Sequence, residues 1–177
     1  DFTVEEAQPL VQGLQREEKH GRALLQRIWY WTNGHPYLTQ KLCQAVAEDN
    51  SVTQSAGVDR VCEELFFASR ARESENNLQH VRTQMLRPDL DHAALLSLYQ
   101  QVRQRQESRW QGWWKRIRDD DTNHLINTLR LAGLVRVWEN YLWVRNRIYF
   151  RVFDNVWIEA NLPDAEKPES DAYMTAL

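Results

Sequence analysis

A basic segment rich in tryptophan contains the residue types with the most evident chemistry. Its members are, in order, Arg109, Trp110, Trp113, Trp114, Lys115 and Arg116. Arginines interleaved with aromatic side chains can bind phosphate backbones and stack on exposed bases. Tryptophan and arginine are also common anchors of protein interfaces. The pattern predicts a partner-binding surface, and it also fits a flap whose tryptophans cover the core while its arginines stay in solvent.

Charge is distributed unevenly along the chain. The net charge is −3, from 22 basic and 25 acidic side chains. Residues 99–118 carry six basic side chains and one acidic one, whereas residues 154–177 carry six acidic side chains and one basic one. The mean charge therefore conceals a basic segment and an acidic tail. We expect the tail, residues 164–177, to be disordered.

Neither the cysteines nor the histidines show the spacing of a metal site. Cys43 and Cys62 each lie in an amphipathic stretch without a CxxC pattern, which predicts buried free thiols and a reducing compartment. The five histidines lack a ligand spacing such as HxxxH. No stretch approaches the roughly 20 apolar residues that a membrane helix needs. We therefore expect a cytoplasmic protein without a metal centre.

The residue patterns give little indication that this chain is an enzyme. The sequence contains no GxxxxGK[ST] loop for phosphates and no hydrophobic strand ending in an acidic pair for Mg²⁺. It also shows no pairing of a nucleophile with a base. With 177 residues, the chain can form one domain or two small ones. We expect this chain by itself not to be an enzyme.

The first half of the sequence has the pattern of a helical bundle. Thr3 and Glu6 fit a capping box, in which each side chain satisfies a free backbone N–H at a helix start. Pro9 follows closely and predicts a kink or a short first helix. Apolar residues at helical spacing predict further helices at residues 21–31 and 58–67.

The residues of one turn predict where two helices of this bundle meet. Asn33 and Gly34 both tolerate the left-handed conformation that commonly follows a helix. Pro36 can start the next helix, because the first residue of a helix does not use its N–H. Residues 1–70 are therefore predicted to be all-α, and the polar residues 70–76 are the predicted boundary of this half.

The second half, residues 77–163, combines helices with strand signals. Apolar spacing predicts helices at residues 78–86, 92–102 and 125–131. Two short runs rich in β-formers follow and are joined at Glu139-Asn140, which predicts a hairpin.

A last helix is predicted at residues 147–160, with Val156 among its buried residues. Three helices followed by a two-stranded wing are typical of the winged helix-turn-helix. The predicted fold is mainly α, with a helical bundle followed by a winged helix-turn-helix that carries a two-stranded β-wing.

Four stretches together resemble the C-terminal half of the bacterial AAA-like domain, a member of the STAND class of signalling NTPases. They occur in the family's order and span residues 1 to about 163. The stretches are residues 1–7 (DFTVEEA), 33–43 (NGHPYLTQKLC), 129–135 (LRLAGLV) and 144–149 (VRNRIY), the last running on to 152–153 (VF).

In that family a phosphate-binding core is followed by a helical lid and then a winged helix. The resemblance implies a lid at residues 1–70 and a winged helix at 77–163. Family members carry fused sensor or effector modules, often WD40 repeats, TIR domains or caspase-like domains. The link between the second and third winged-helix helices is longer here than in such members, and the tryptophan-rich segment lies within it.

Gly34-His35-Pro36 matches the GxP motif that lids of this family hold against the nucleotide. The resemblance implies that Gly34 and Pro36 contact ATP or ADP. A proline ring offers a rigid apolar face to adenine, and glycine allows a close approach of the backbone. The same residues also fit a plain turn between two helices. His35 occupies the variable position of the motif and is assigned no chemistry.

Arg147 is the third candidate nucleotide contact. In the family the winged helix packs on the core in the ADP-bound state, so the resemblance implies that a basic residue here could sense phosphate. The residues themselves also fit a simpler interpretation, in which Asn146 caps the last helix and Arg147 is solvated.

The function that follows from the resemblance is regulatory. The lid and winged helix would be the moving arm of a nucleotide-controlled signalling or assembly switch. Its expected partners are an upstream NTPase core, fused or associated sensor and effector domains, and a second copy of the chain. ATP or ADP with Mg²⁺ is expected only with such a core. The alternative is a winged-helix module that binds a protein or a nucleic acid through the tryptophan-rich segment. Nucleic acid is disfavoured, because residues 122–132 carry few basic side chains.

Overall fold

Helices dominate the computed structural model, which describes residues 1–107 and 116–163. The helices of the first half are α1 (Val4–Ala7), α2 (Leu10–Gly13), α3 (Glu18–Thr32), α4 (Pro36–Glu48), α5 (Ser55–Cys62) and α6 (Ser69–Ser74). The second half contains α7 (Asn76–Met85), α8 (His92–Glu107), α9 (His124–Leu131), β1 (Val135–Trp138), β2 (Tyr141–Val144), α10 (Arg147–Val152) and α11 (Asn155–Asn161). The prediction of a mainly helical fold with a two-stranded antiparallel sheet is confirmed.

The predicted helix start at Thr3 is confirmed. The backbone N–H of Glu6 donates to the Thr3 hydroxyl at 3.2 Å, and the backbone N–H of Thr3 donates to the Glu6 carboxylate at 2.8 Å. Pro9 separates α1 from α2, because proline cannot donate the hydrogen bond that would continue the first helix. The first helix is therefore short, as predicted.

The turn between α3 and α4 also matches the prediction. Asn33 ends α3 in the left-handed conformation with φ of 49°, and Gly34 follows with φ of +75°. Pro36 is the first residue of α4. The turn connects α3 to α4 within three residues, and the two helices pack against each other.

The predicted helix at residues 58–67 has two parts. α5 ends at Cys62 and continues as a π-helical turn over Glu63–Phe67. This wider turn buries the adjacent residues Phe66 and Phe67, which are 0% and 5% exposed. The apolar spacing predicted helix there, but it carries no signal for the change of helix type.

The two halves are joined by the short helix α6 and by a buried carboxylate that caps α7. α6 occupies most of the polar stretch at residues 70–76, and Glu75 follows it. The Glu75 carboxylate is 2% exposed, accepts from the backbone N–H of Leu78 at 2.8 Å and so caps α7. It also accepts from Lys41 Nζ of α4 at 2.9 Å.

β1 and β2 form the predicted hairpin. Glu139 and Asn140 both have positive φ, 49° and 66°. A two-residue hairpin turn needs this conformation to match the twist of the two strands. Val135 pairs with Val144 and Trp138 pairs with Tyr141. Val135, Leu142 and Val144 of one face of the hairpin pack against the core, whereas the opposite face carries arginine and aromatic side chains.

The last helix was predicted wrongly as one continuous segment. It is divided into α10 and α11, because the Asp154 carboxylate accepts from the backbone N–H of Trp157 at 2.9 Å and starts a new helix. The break rotates the second helix, so Val156 is 73% exposed instead of buried.

Buried side chains of both halves form one hydrophobic cluster. Within it, the Tyr99 hydroxyl of α8 donates to the backbone carbonyl of Phe153 at 3.0 Å. Among the described helices, none combines the length and the apolar character needed to cross a bilayer.

Candidate functional site

Gly34 lies against the first residues of the chain. Its carbonyl accepts from the backbone N–H of Phe2 at 2.7 Å. A Cβ atom at position 34 would lie 2.0 Å from the Phe2 carbonyl oxygen, and its φ of +75° suits glycine. The close approach that glycine permits here is thus to the chain's own backbone.

Pro36 and His35 form the start of α4. Pro36 is partly exposed, as a proline that contacts a ligand would need to be. His35 is 7% exposed, and its Nδ1 accepts from the backbone N–H of Leu38 at 3.4 Å. His35 therefore has a structural role that the sequence did not indicate.

A chain of hydrogen bonds runs from His35 into the second half. Because Nδ1 accepts, the proton of the neutral ring lies on Nε2, which donates to the Tyr149 hydroxyl at 3.1 Å. That hydroxyl donates to Oδ1 of Asn77 at 2.6 Å. Burial, with a smaller contribution from Arg145, lowers the pKa of His35 to about 4. The ring is therefore neutral at physiological pH.

A second link between the halves uses the residues beside this chain. Asn33 Nδ2 donates to the Arg145 carbonyl at 2.9 Å. The Arg145 guanidinium donates to the Asp1 carboxylate, with Nη2 and Oδ1 2.8 Å apart. Asp1, the turn at Asn33 and the segment before α10 therefore meet at one place, which we call the junction.

Arg147 is held by α3. Its Nη1 donates to the Tyr30 carbonyl at 2.8 Å, and its guanidinium lies 3.9 Å from the centre of the Tyr30 ring. Asn146 caps α10, since its Oδ1 accepts from the backbone N–H of Tyr149 at 2.8 Å. Arg147 is thus exposed but bound to the first half.

The cleft beside Arg147 is lined by neither of the other two nucleotide candidates. Arg147 lines a cleft of about 550 Å³ between the end of α3, the end of α8, the hairpin and α10, and neither Gly34 nor Pro36 lines it. The predicted contacts of Gly34, Pro36 and Arg147 with ATP or ADP remain predictions.

Most of the predicted partner-binding segment, Arg109 to Lys115, lies outside the described residues. Its last member, Arg116, stacks on the hairpin, with the guanidinium 3.8 Å from the centre of the Trp143 ring. Residues after it run beside β2, where the backbone N–H of Leu142 donates to the Ile117 carbonyl at 2.8 Å. Arg116 therefore belongs to the arginine and aromatic face of the hairpin.

That face contains functional candidates that the sequence analysis missed. Arg136 and Trp143 lie opposite each other in the strand register, so their side chains share one face. Trp138 is 50% exposed, and its ring centre lies 5.5 Å from that of Trp143. Strand alternation at residues 136–143 is the signal that could have identified them.

The cysteines lack the features of reactive or metal-binding thiols. Cys43 and Cys62 are buried and free. Burial raises the pKa of Cys43 to about 12 and also raises that of Cys62. Within residues 1–107 and 116–163, no group of histidine, cysteine and acidic side chains has the arrangement of a metal site.

The chain is similar to an uncharacterized WD repeat-containing protein of Synechocystis sp. (strain ATCC 27184 / PCC 6803 / Kazusa). The two are 32% identical over 172 residues, which cover 91% of this chain and 13% of that protein. The chain thus spans about an eighth of the length of this relative. No protein-family model matches the sequence. No solved structure matches it significantly.

Proposed function

We propose that this chain is the helical lid and winged-helix arm of a STAND-class, AAA-like NTPase and moves as one unit in a nucleotide-controlled switch. The observation that carries the proposal is the junction. There the turn at Asn33–Pro36, which matches the GxP motif, contacts Phe2 on one side and the segment before α10 on the other. A core that precedes residue 1 would meet both halves of the arm at this point.

The order of elements in the second half supports the winged-helix part of this proposal. α7, α8 and α9 precede the hairpin, as the three helices of a winged helix precede its wing. Asn123 caps α9 by accepting from the backbone N–H groups of Leu125 and Ile126. β1 packs against α9 and β2 packs against α8, which supports the interpretation of the hairpin as a wing.

The relative supports a place in a longer protein. WD repeats fold into blades of four β-strands, whereas the described part of this chain has one hairpin among helices. The segment of the relative that matches this chain would therefore be a module beside its WD repeats. Such a fusion agrees with the architecture of the family that the sequence resembles.

The contacts between the halves favour motion of the arm as one unit. The halves share one hydrophobic cluster. Arg151 of α10 pairs with Glu63 at 3.0 Å, and its guanidinium lies 4.0 Å from the centre of the Phe67 ring.

A switch needs two states a few kcal/mol apart, with a nucleotide that prefers one of them. We propose that the states differ in the contact between the arm and the core.

Nucleotide release from the intact polypeptide tests this function. Pro36→Ala removes the ring proposed to lie against adenine, so ADP should dissociate faster, measured by displacement of a fluorescent ADP. Pro88→Ala provides the matched control, because Pro88 is exposed in the loop between α7 and α8. Unchanged release from the Pro36 variant would remove this residue from the site.

A further inference from the structure

The arginine and aromatic face of the hairpin continues onto a third segment of chain. Arg118 forms an antiparallel bridge with Tyr141, so residues 116–118 run along the edge of β2 that β1 leaves free. Ile117, between the two arginines, is partly buried and packs against the core. Since successive side chains of an extended segment alternate, Arg116 and Arg118 lie on the side away from the core.

Side chains of this face form two rows across the three segments. Paired residues of neighbouring strands share one side of a sheet, so the register and the contact of Arg116 with Trp143 define each row. None of the row members is acidic or aliphatic. The rows are Arg118, Tyr141 and Trp138, and Arg116, Trp143 and Arg136.

Trp138 is the tryptophan of these rows that a flat ligand can reach. It is 50% exposed and lies next to the turn of the hairpin. Its ring centre is 5.5 Å from that of Trp143, with 60° between the two planes. The Trp143 ring is covered by the Arg116 guanidinium, 3.8 Å from its centre. The face therefore offers the Trp138 ring as a surface for stacking.

The arginines of the rows give the face a positive charge. Within residues 1–107 and 116–163, no carboxylate pairs with Arg116, Arg118 or Arg136. Arg118 is exposed. The adjacent Asp119 is already paired with Arg130 of α9. A polyanion that lies on the face would balance these cations.

We propose that the arginine and aromatic face of the hairpin binds single-stranded nucleic acid, with a base stacked on Trp138 and the phosphate backbone bound by Arg118. Bases stack on aromatic rings whatever their sequence, while basic side chains follow the backbone. The proposal goes beyond the proposed function, because it involves neither the turn at Asn33–Pro36 nor an NTPase core.

The composition of the face favours this ligand over the other macromolecules considered. The centre of a protein interface is depleted in charged side chains, whereas arginines occupy half of the positions in the two rows. Duplex DNA is disfavoured, because residues 122–132 carry few basic side chains for a major groove. A single strand needs no recognition helix, since its bases are free to stack.

Fluorescence anisotropy of a short fluorescein-labelled oligothymidylate, titrated with the chain at about 50 mM salt, tests the proposal. We expect saturable binding. Trp138→Ala should weaken it at least about fivefold, because one stacked base is lost. Trp138→Phe keeps a ring and should retain most of the affinity. Val156→Ala is the control for an exposed apolar side chain, since Val156 is 73% exposed on α11 and should leave binding unchanged.

Arg118→Gln tests the electrostatic part. It should weaken binding and reduce the slope of log affinity against log salt by about 0.7, which is the contribution of one phosphate contact in a single strand. Arg87→Gln is the matched control, because Arg87 is exposed and paired with Asp89. Its affinity and salt slope should equal those of wild type.

Three results would overturn the proposal. The first is no binding of the oligothymidylate, as expected if the face serves a protein partner. The second is equal or tighter binding of a duplex of the same length. The third is wild-type affinity in both Trp138→Ala and Arg118→Gln, which would assign the nucleic acid to another surface, such as residues 109–115. Circular dichroism spectra of the variants show that a loss of binding is not a loss of fold.

Discussion

His35 Nε2 and the Tyr149 hydroxyl lie 3.1 Å apart across 114 positions of sequence. The contact joins the turn that starts α4 to the helix that follows the hairpin. Because the Tyr149 hydroxyl also donates to Asn77, three elements share one buried hydrogen-bond chain. The two halves are therefore held together by polar contacts as well as by the core, and the residues of this hydrogen-bond chain can be tested one at a time.

Gly34→Ala should destabilise the fold by about 3 kcal/mol or more, because the new Cβ would collide with the Phe2 carbonyl and the residue would keep a positive φ. Urea unfolding measures the loss. Gly13→Ala is the matched control, since a Cβ there meets nothing within 4 Å, and alanine should stabilise α2 by up to about 1 kcal/mol. Equal effects of the two substitutions would contradict the close contact at Phe2.

The pH dependence of stability should report on His35. Its pKa is about 4 in the folded protein, lowered by burial and by Arg145, and about 6.5 in an unfolded chain. Between these values the unfolded chain binds a proton that the folded protein does not. The stabilisation is therefore complete above about pH 6.5 and falls as the pH approaches 4, by about 3 kcal/mol at most.

His35→Gln should remove this part of the pH dependence while keeping a donor near Tyr149. Urea midpoints at pH 7 and pH 4.5 measure the difference between variant and wild type. His80→Gln serves as the control, because His80 is exposed on α7. Its replacement should leave the difference between the two urea midpoints as it is in wild type. If the urea midpoint of the His35 variant changed with pH as much as that of wild type, His35 would not be buried and neutral.

Tyr149 and Asn77 should be energetically coupled. Tyr149→Phe keeps the ring but removes the hydroxyl, which should cost about 1–2 kcal/mol because His35 and Asn77 lose their partner. In a double-mutant cycle with Asn77→Ala, we expect a coupling free energy of at least about 0.5 kcal/mol. Additive losses would mean that the hydrogen bond contributes nothing to stability.

Glu75→Gln should destabilise the link between α4 and α7 by about 2 kcal/mol, because Lys41 would lose its buried ion-pair partner. Unfolding by urea measures the effect. The neighbouring Glu73→Gln is the control, since Glu73 is exposed on α6 and should change stability by less than about 0.5 kcal/mol. A loss confined to the control would refute the role assigned to Glu75.

Local sequence signals predicted the ends of elements well. The capping box at Thr3, the left-handed Asn33 and the hairpin turn at Glu139-Asn140 each act over two to four residues, and each is confirmed. The break at Asp154 was missed because the apolar spacing continues through it, although aspartate is a strong helix cap.

The candidate sites were harder to predict because they depend on tertiary contacts. His35 was assigned no chemistry because it occupies the variable position of the motif. The spacing of residues could not indicate its contact with Tyr149, which lies in the other half of the chain. The cleft beside Arg147 was not predicted, because its lining residues come from α3, α8, the hairpin and α10, which are far apart in the sequence. Residue type and spacing do not specify which surfaces of these separate elements meet.

Native mass spectrometry of the endogenous polypeptide tests the central proposal most directly, because one spectrum gives both the mass of the chain and its bound nucleotide. The proposed switch arm predicts a mass well above the 21.1 kDa of these residues, with ADP bound. A mass near 21 kDa without nucleotide would contradict it.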